Sequence, residues 1–479
     1  MTNPKKIIAL ILGPLSFIIL TFFNPPEGMS DSAYFMVGVT LWIAIWWVTE
    51  AVPIAVTALL PVILFPTTGI MKISETTAAY GDKYIFLYLG GFFLAIAIEK
   101  WNLHKRMALH IIKLIGTNIY KVILGFMVAT AFLSMWISNT ATAVMMLPIG
   151  MSIVSQLKDN PTTVENENAI FGKALMLSIA YSASIGGIAT LIGTPPNLVM
   201  AGFVLKTYGI EITFGQWFQF GLPISILLLT IAWVYLTRFA FKFEQKEFPG
   251  GKDEVNRLLQ ELGPIKYEEK IVLLVFVLTA LCWITRSFLL QDLIPGIDDT
   301  IIAIGAAILL FILPTKKRND RIINWGDAIR IPWGIILLFG GGMALAAGFQ
   351  ETGLALWLGN QIDLLTGISL ALLVVIILFS VNFLTEITSN LATAAMLLPI
   401  LAPVAVSLGV DPFILIVAAT TAASCAFMLP VATPPNAVVF GSGYLEIIDM
   451  VKSGFWMNII SIVILFVFVY IVLPILWGL

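Results

Sequence analysis

Long apolar runs, separated by short polar or charged segments, fill most of the chain. Eleven of them (residues 7–23, 33–48, 54–65, 84–98, 169–205, 217–236, 271–290, 301–313, 332–349, 412–440 and 455–477) are candidate spans. A hydrocarbon layer of about 30 Å takes roughly 20 helical residues. Two further apolar runs, 122–157 and 370–408, are interrupted near their middles by polar clusters. The pattern predicts an all-α polytopic membrane protein with about eleven spans.

Composition agrees. Of 479 residues, 59% are hydrophobic and 11% charged, against roughly 45–50% and about 25% in soluble proteins, so a water-soluble globule is excluded. Lysine plus arginine number 26 and aspartate plus glutamate 28, a balance without the footprint of nucleic-acid binding. Cys282 and Cys425 are isolated and form neither a CxxC motif nor a disulfide framework. The first run follows Lys5 and Lys6 and ends at Asn24-Pro25-Pro26 without a small-residue cleavage site. It is read as an uncleaved span, not a secretory signal.

Loop charges set an orientation, because lysine and arginine accumulate on the cytoplasmic side. With a cytoplasmic N-terminus, Lys100, Lys105, Arg106, Lys113 and Lys121 fall inside. So do Lys316, Lys317, Arg318, Arg321, Arg330 and the mixed segment 238–270. The outer loops carry Glu27, Asp31, Asp292, Asp298 and Asp299. An odd number of spans places the C-terminus outside. The segment 238–270, with Pro249-Gly250-Gly251 inside it, reads as a solvated linker between two halves, or simply as a long loop.

The halves repeat one another. Ser138-Asn139-Thr140-Ala141-Thr142-Ala143 recurs as Ser389-Asn390-Leu391-Ala392-Thr393-Ala394, at an offset of 389 − 138 = 251, and Leu89-Gly90-Gly91 aligns with Gly340-Gly341-Gly342 at the same offset. Gly193-Thr194-Pro195-Pro196-Asn197 recurs as Ala432-Thr433-Pro434-Pro435-Asn436, offset by 432 − 193 = 239. Five spans lie between the two Ser-Asn clusters, so the repeats have opposite orientation. Inverted repeats with interrupted helices are the architecture of many secondary transporters, with substrate and ion near the midplane.

The arm 122–137 is about 24 Å long as helix, short of a full crossing. Run 122–157 is therefore read as a re-entrant hairpin with Ser138-Asn139-Thr140 at its tip, and run 370–408 as its counterpart. Two short spans with a polar turn would have the same topology, but water-exposed turns favour Gly, Pro and Asp, and here apolar residues press on the tip. Each Thr-Pro-Pro-Asn lies inside an apolar run, where paired prolines break the helix and a new one starts with a threonine cap. Its exposed N–H groups suit an anion, and the unwound carbonyls around Gly193 suit sodium. A simple proline kink is the plainer alternative. No lysine or arginine lies between Lys121 and Lys158 or between Arg330 and Lys452. An anion there would meet hydroxyls, amides and helix ends, and a co-bound cation would offset its charge. Two matching tips suit a dicarboxylate, although a compact oxyanion also fits.

These motifs, with Thr49-Glu50-Ala51-Val52-Pro53, resemble the divalent anion/sodium symporter family, which includes the INDY-type di- and tricarboxylate transporters, over nearly the whole chain. The resemblance implies a homodimer in the cell membrane working as an elevator. Its scaffold would be residues 1–121 and 271–367, its transport halves 122–237 and 368–479, joined by the linker 238–270. Substrates would be succinate, malate, fumarate, citrate or 2-oxoglutarate, with sodium as coupling ion and no other cofactor. By motif, Ser138, Asn139, Thr140, Ser389 and Asn390 would contact the carboxylates, with Thr194 and Thr433 nearby. One sodium site would use Ser134, Ser138, Asn139 and Gly193, and the other Thr385, Ser389, Asn390 and Ala432. The third residue of the second tip is Leu391 where the family pattern has threonine, which keeps sodium-independent exchange as an alternative, beside symport of sulfate or another divalent oxyanion.

Among acidic residues, Glu386 stands one helical turn before Ser389. It either shapes the field at the second cation site or braces the hairpin. Glu50 and Glu99 read as interfacial. An enzyme is disfavoured, because His104 and His110 lie in a basic cytoplasmic stretch and no HExxH or paired aspartate occurs in an apolar segment. A channel fits the inverted repeats less well than a carrier.

Overall fold

A computed structural model describes residues 4–116, 118–156, 167–244, 251–317, 320–361 and 367–479. Lys158, Arg318 and Pro249-Gly250 lie outside the described residues. Among those described the chain is all-helical apart from one isolated bridge between Pro314 and Arg321. Among the described residues eight helices are long and apolar enough to cross a membrane, and seven shorter apolar helices accompany them.

The interruptions fall where the prolines place them. Run 169–205 divides into Glu167–Ile188 and Pro195–Tyr208, and run 412–440 into Pro412–Ala423 and Pro434–Phe440. Run 54–65 is also divided, into Ile54–Thr57 and Leu60–Thr68, with Pro61 at the start of the second piece. Proline lacks the N–H that would continue the first helix.

The two runs with polar middles are helical hairpins. The first pairs Ile119–Ser134 with Asn139–Val154, and the second Leu370–Leu384 with Asn390–Ser407. Helix Asp31–Thr49 shows how they are disposed. At its start Ser30 Oγ donates to Thr352 O at 3.1 Å and Trp357 Nε1 to Glu27 O at 3.2 Å. There Gly359 packs on Ser407, the last residue of the second hairpin. At its other end Thr49 and Glu50 line the same cavity as Ser152, from the last turn of the first hairpin. The tips of both hairpins line that one cavity.

The first tip is held by packing. Trp136 lies between Phe214, Phe276 and Trp283, with ring centroids 5.9, 5.1 and 6.5 Å away. Gly186 lets the first broken helix approach the hairpin backbone, for a Cβ there would collide with Ala131.

Three segments read as loops are more ordered than expected. Leu103–Ile115 is an amphipathic helix burying Leu103, His104, Ala108, Leu109 and Ile112. The linker contains helix Gly251–Glu261, tied to the first hairpin by a hydrogen bond from Ser152 Oγ to Glu254. Asp299, read as an outer-loop acid, is buried at the start of Asp299–Ile312 and pairs with Arg286 at 3.1 Å. Burial of one partner demands the other, because an unpaired charge there is costly.

Candidate functional site

A cavity of about 2180 Å³ opens between the hairpins. Its inner wall comes from both tips (Ser138, Asn139, Thr140; Ser389, Asn390, Leu391) and both breaks (Gly193, Thr194; Ala432, Thr433). Its mouth carries Lys6, Glu50, Glu99, Lys105, Glu261 and Arg330. Nine of the eleven residues expected at the site thus share one surface. Ser134 and Thr385 do not line it: both are fully buried and stand behind the tips.

Four helices begin at this wall. Ser138, Thr194, Ser389 and Thr433 occupy their N-cap positions. Ser138 Oγ accepts from Ala141 N at 3.2 Å and Thr433 Oγ1 from Asn436 N at 3.3 Å. Unpaired N–H groups in a helix's first turn favour a negative ligand.

Beside each tip, oxygens converge. In the first half Ser134 Oγ is 2.6 Å from both Asn139 Oδ1 and Ala183 O. The Asn139 amide faces Ala183 O, Gly193 O and Ser134 Oγ at 3.2, 3.1 and 2.6 Å. This cluster can be satisfied in two ways. With nitrogen turned inward the amide donates to the surrounding oxygens, and with oxygen turned inward the neutral oxygens make a site for a hard monovalent cation. The second half repeats the plan: Thr385 Oγ1 donates to Asn390 Oδ1 at 2.7 Å and lies 3.1 Å from Ala423 O.

The unwound turns are clamped by the asparagines of the Thr-Pro-Pro-Asn motifs, a role that sequence reading missed. Asn197 Nδ2 donates to Thr190 O at 2.8 Å and lies 3.3 Å from Gly187 O. Asn436 Nδ2 reaches Leu429 O and Ala426 O at 3.0 and 3.3 Å. Their position three residues past the threonine cap was the available signal. Between the two readings of Glu386, the geometry shows a brace: its carboxylate accepts from the backbone N–H groups of Phe427, Met428 and Leu429. Leu391 is buried in the wall, while Thr140 is exposed to the cavity.

The description "Sodium:sulfate symporter transmembrane region" matches residues 4–478. A sodium-dependent dicarboxylate transporter, SdcS, of Staphylococcus saprophyticus is 48% identical, covering 98% of this chain and 92% of that protein. SdcS of Staphylococcus aureus is 49% identical, with 99% and 92% covered. Among solved structures, Neisseria gonorrhoeae MtrF aligns with TM-score 0.58 at 12% identity, over 98% of this chain and 96% of that one. The Alcanivorax borkumensis YdaH transporter aligns at 0.53 and 14%, over 80% and 84%. At such identities the two structures speak for the fold alone.

Proposed function

The chain belongs to the sodium:sulfate symporter family, and from that membership we propose that it carries a dicarboxylate across the membrane together with sodium. It is a multi-pass membrane transporter and not an enzyme. The observation that carries the substrate assignment is the meeting of two Ser-Asn tips and two Thr-capped breaks on one wall. Those elements bring no lysine or arginine to it, so neutral donors meet the carboxylates and sodium offsets their charge.

In this reading Ser138, Asn139, Thr140, Ser389 and Asn390 bind the two carboxylates, with Thr194 and Thr433 beside them. One sodium lies among Ser134, Ser138, Asn139 and Gly193, and the other among Thr385, Ser389, Asn390 and Ala432. The hairpins are re-entrant and the chain makes about eleven crossings, with its N-terminus cytoplasmic and its C-terminus outside. The cavity then faces the cytoplasm. Residues 1–121 and 271–367 form the scaffold of a homodimer. Residues 122–237 and 368–479 move as an elevator, with 238–270 as linker.

Uptake of labelled succinate into proteoliposomes tests the proposal. An inward sodium gradient should drive it, and unlabelled sulfate should compete weakly. The buried Leu391 favours one rival, sodium-independent exchange. Uptake that ignores sodium and requires internal dicarboxylate would establish that rival.

A further inference from the structure

The repeat extends beyond the tips and breaks to the walls around them. Trp47 and Trp283 stand two residues before the ends of helices Asp31–Thr49 and Tyr267–Thr285. Each donates its indole N–H to the start of a following element, Trp47 to Ile54 O at 3.2 Å and Trp283 to Asp299 O at 2.9 Å. At that offset (283 − 47 = 236) Glu50 corresponds to Arg286, and the shared acceptor role makes Ile54 the counterpart of Asp299. At the Gly-Gly offset (334 − 83 = 251) Gly334 corresponds to Lys83 and Ile335 to Tyr84. Glu50, Ile54, Gly334 and Ile335 all line the cavity. Their counterparts Arg286, Asp299 and Tyr84 are buried instead.

What closes over them is the turn that leads from Pro195–Tyr208 into Phe214–Val234. Glu211 Oε1 accepts from Lys83 Nζ at 2.6 Å, and its Oε2 lies 3.3 Å from Arg286 Nη2. Phe214 N donates to Asp299 Oδ2 at 2.7 Å, and the Phe214 ring stacks on Trp283 at 5.0 Å. Trp136, two residues before Ser138, stacks on both rings. This closure lies far from the cavity mouth. Lys83 and Glu99 stand on one helix, 99 − 83 = 16 residues and about 24 Å apart, and Glu99 is at the mouth. The charges are arranged so that Glu211 can leave. Without it Arg286 keeps Asp299 at 3.1 Å and Lys83 keeps Asp298 at 3.6 Å. Departure therefore strands no buried charge, the outcome that would be costly. Glu211 itself is already 31% exposed.

We infer that Glu211 is the releasable bolt of a lock that holds the molecule with this cavity open. The segment 122–237 carries the bolt, Lys83 and Arg286 receive it, and the movement that opens the opposite face breaks both ion pairs. The aromatic stack links the lock to the first tip, because Trp136 belongs to the same hairpin as Ser138. The inference deepens the proposed transport cycle and rests on its division into a moving unit and a scaffold.

Two experiments test the inference. Leu87 is fully buried one turn beyond Lys83, and its counterpart at the offset of 251, Leu338, lines the cavity. A cysteine at position 87 therefore reacts only when the lock opens. In a Cys282→Ser background, in detergent without sodium or succinate, Glu211→Gln should speed maleimide labelling of Leu87→Cys about threefold, the scale of a partly exposed ion pair. Labelling of Val417→Cys, fully buried in Pro412–Ala423, should not change. An unchanged rate at Leu87→Cys, or an equal rise at both positions, overturns the lock. The second experiment joins Lys83→Cys to Glu211→Cys, in the same background, with a bifunctional methanethiosulfonate about as long as the ion pair it replaces. Joining should stop succinate uptake into proteoliposomes, and reduction should restore it. A pair that does not join, or that transports equally well once joined, overturns the lock. Sodium-independent uptake by the unmodified protein would instead strike the symport reading and leave the labelling result standing.

Discussion

Replacing Gly187 by alanine places one methyl group at the proposed first sodium site. The added Cβ would lie 2.7 Å from Asn139 Oδ1, 3.0 Å from its Nδ2 and 3.1 Å from Gly193 O. These are two of the groups assigned to the ion. The Asn139 amide can swing away, but then it no longer faces Gly193 O and Ala183 O. Overpacking of this kind costs about 1–3 kcal/mol. If the strain falls on the sodium-bound arrangement, half-saturating sodium rises roughly 5–150-fold, while the succinate KM at saturating sodium changes little. The assay is labelled succinate uptake into proteoliposomes over a sodium titration, with Gly305→Ala as control because a Cβ there meets nothing within 4 Å. The second half shows that the effect is local: the counterpart of Gly187 is Ala426 (426 − 187 = 239), which already carries a methyl group and is fully buried. A Gly187→Ala protein whose sodium curve superimposes on the unmodified one would refute the placement of the ion.

Four further outcomes are expected. Asn139→Ala and Asn390→Ala should each abolish uptake while leaving a monodisperse protein in size-exclusion chromatography, and near-normal transport by both would remove the site assignment. Leu391→Thr restores a hydroxyl to the second tip; a hydrogen bond worth about 0.5–1.5 kcal/mol lowers the succinate KM roughly 2–12-fold in uptake kinetics, and an unchanged KM would mean that this position does not reach substrate. Arg286→Met leaves Asp299 buried without its partner, at a cost of about 3–5 kcal/mol, and should lower Tm in detergent; a rise in Tm would mean that the pair is dispensable. Burial pushes His104, on the amphipathic helix Leu103–Ile115, down to about 4. Because the unfolded imidazole takes its proton near pH 6.5, the folded state loses on the order of 3 kcal/mol as pH falls from about 6.5 to about 4 and nothing above that window. His104→Gln should flatten the dependence of Tm on pH over that range.

Much of the candidate site's layout was legible because its chemistry is local. Two adjacent prolines end a helix wherever they stand, and a polar trio pressed between apolar residues has few uses besides a tip. The family resemblance implied Ser134 and Thr385 as cation ligands, but their place behind the wall was not legible, since depth depends on how the arm rotates against Glu167–Ile188 and Pro412–Ala423. The two readings of Glu386 could not be separated from the sequence, because its partners Phe427, Met428 and Leu429 lie some forty residues on and offer only backbone N–H groups. The linker was read as solvated for its mixed charges. Yet Val255 and Glu254 are buried, and Val255, Leu258, Leu259 and Leu262 recur at helical spacing. That periodicity was available and was outweighed by composition. Asp299 is the reverse case, a residue of loop character buried because Arg286, thirteen positions earlier, comes to meet it.

The neutral lining of the wall bears on coupling as well as binding. A fixed arginine at either tip would hold a dianion without any ion, and a substrate held that way could cross without sodium. With hydroxyls, amides and helix starts alone, the dianion loses its hydration without full compensation. The sodium-free complex is therefore sparsely populated, and uncoupled flux falls in proportion to its population. Basic side chains stand instead at the mouth, where Lys6, Lys105 and Arg330 are mixed with Glu50, Glu99 and Glu261, and are missing from the tips. At the mouth, solvent and the neighbouring carboxylates screen a basic side chain, so it does not commit anions to a site. At the wall, where screening is weak, it would bind them outright and abolish the requirement for the cation.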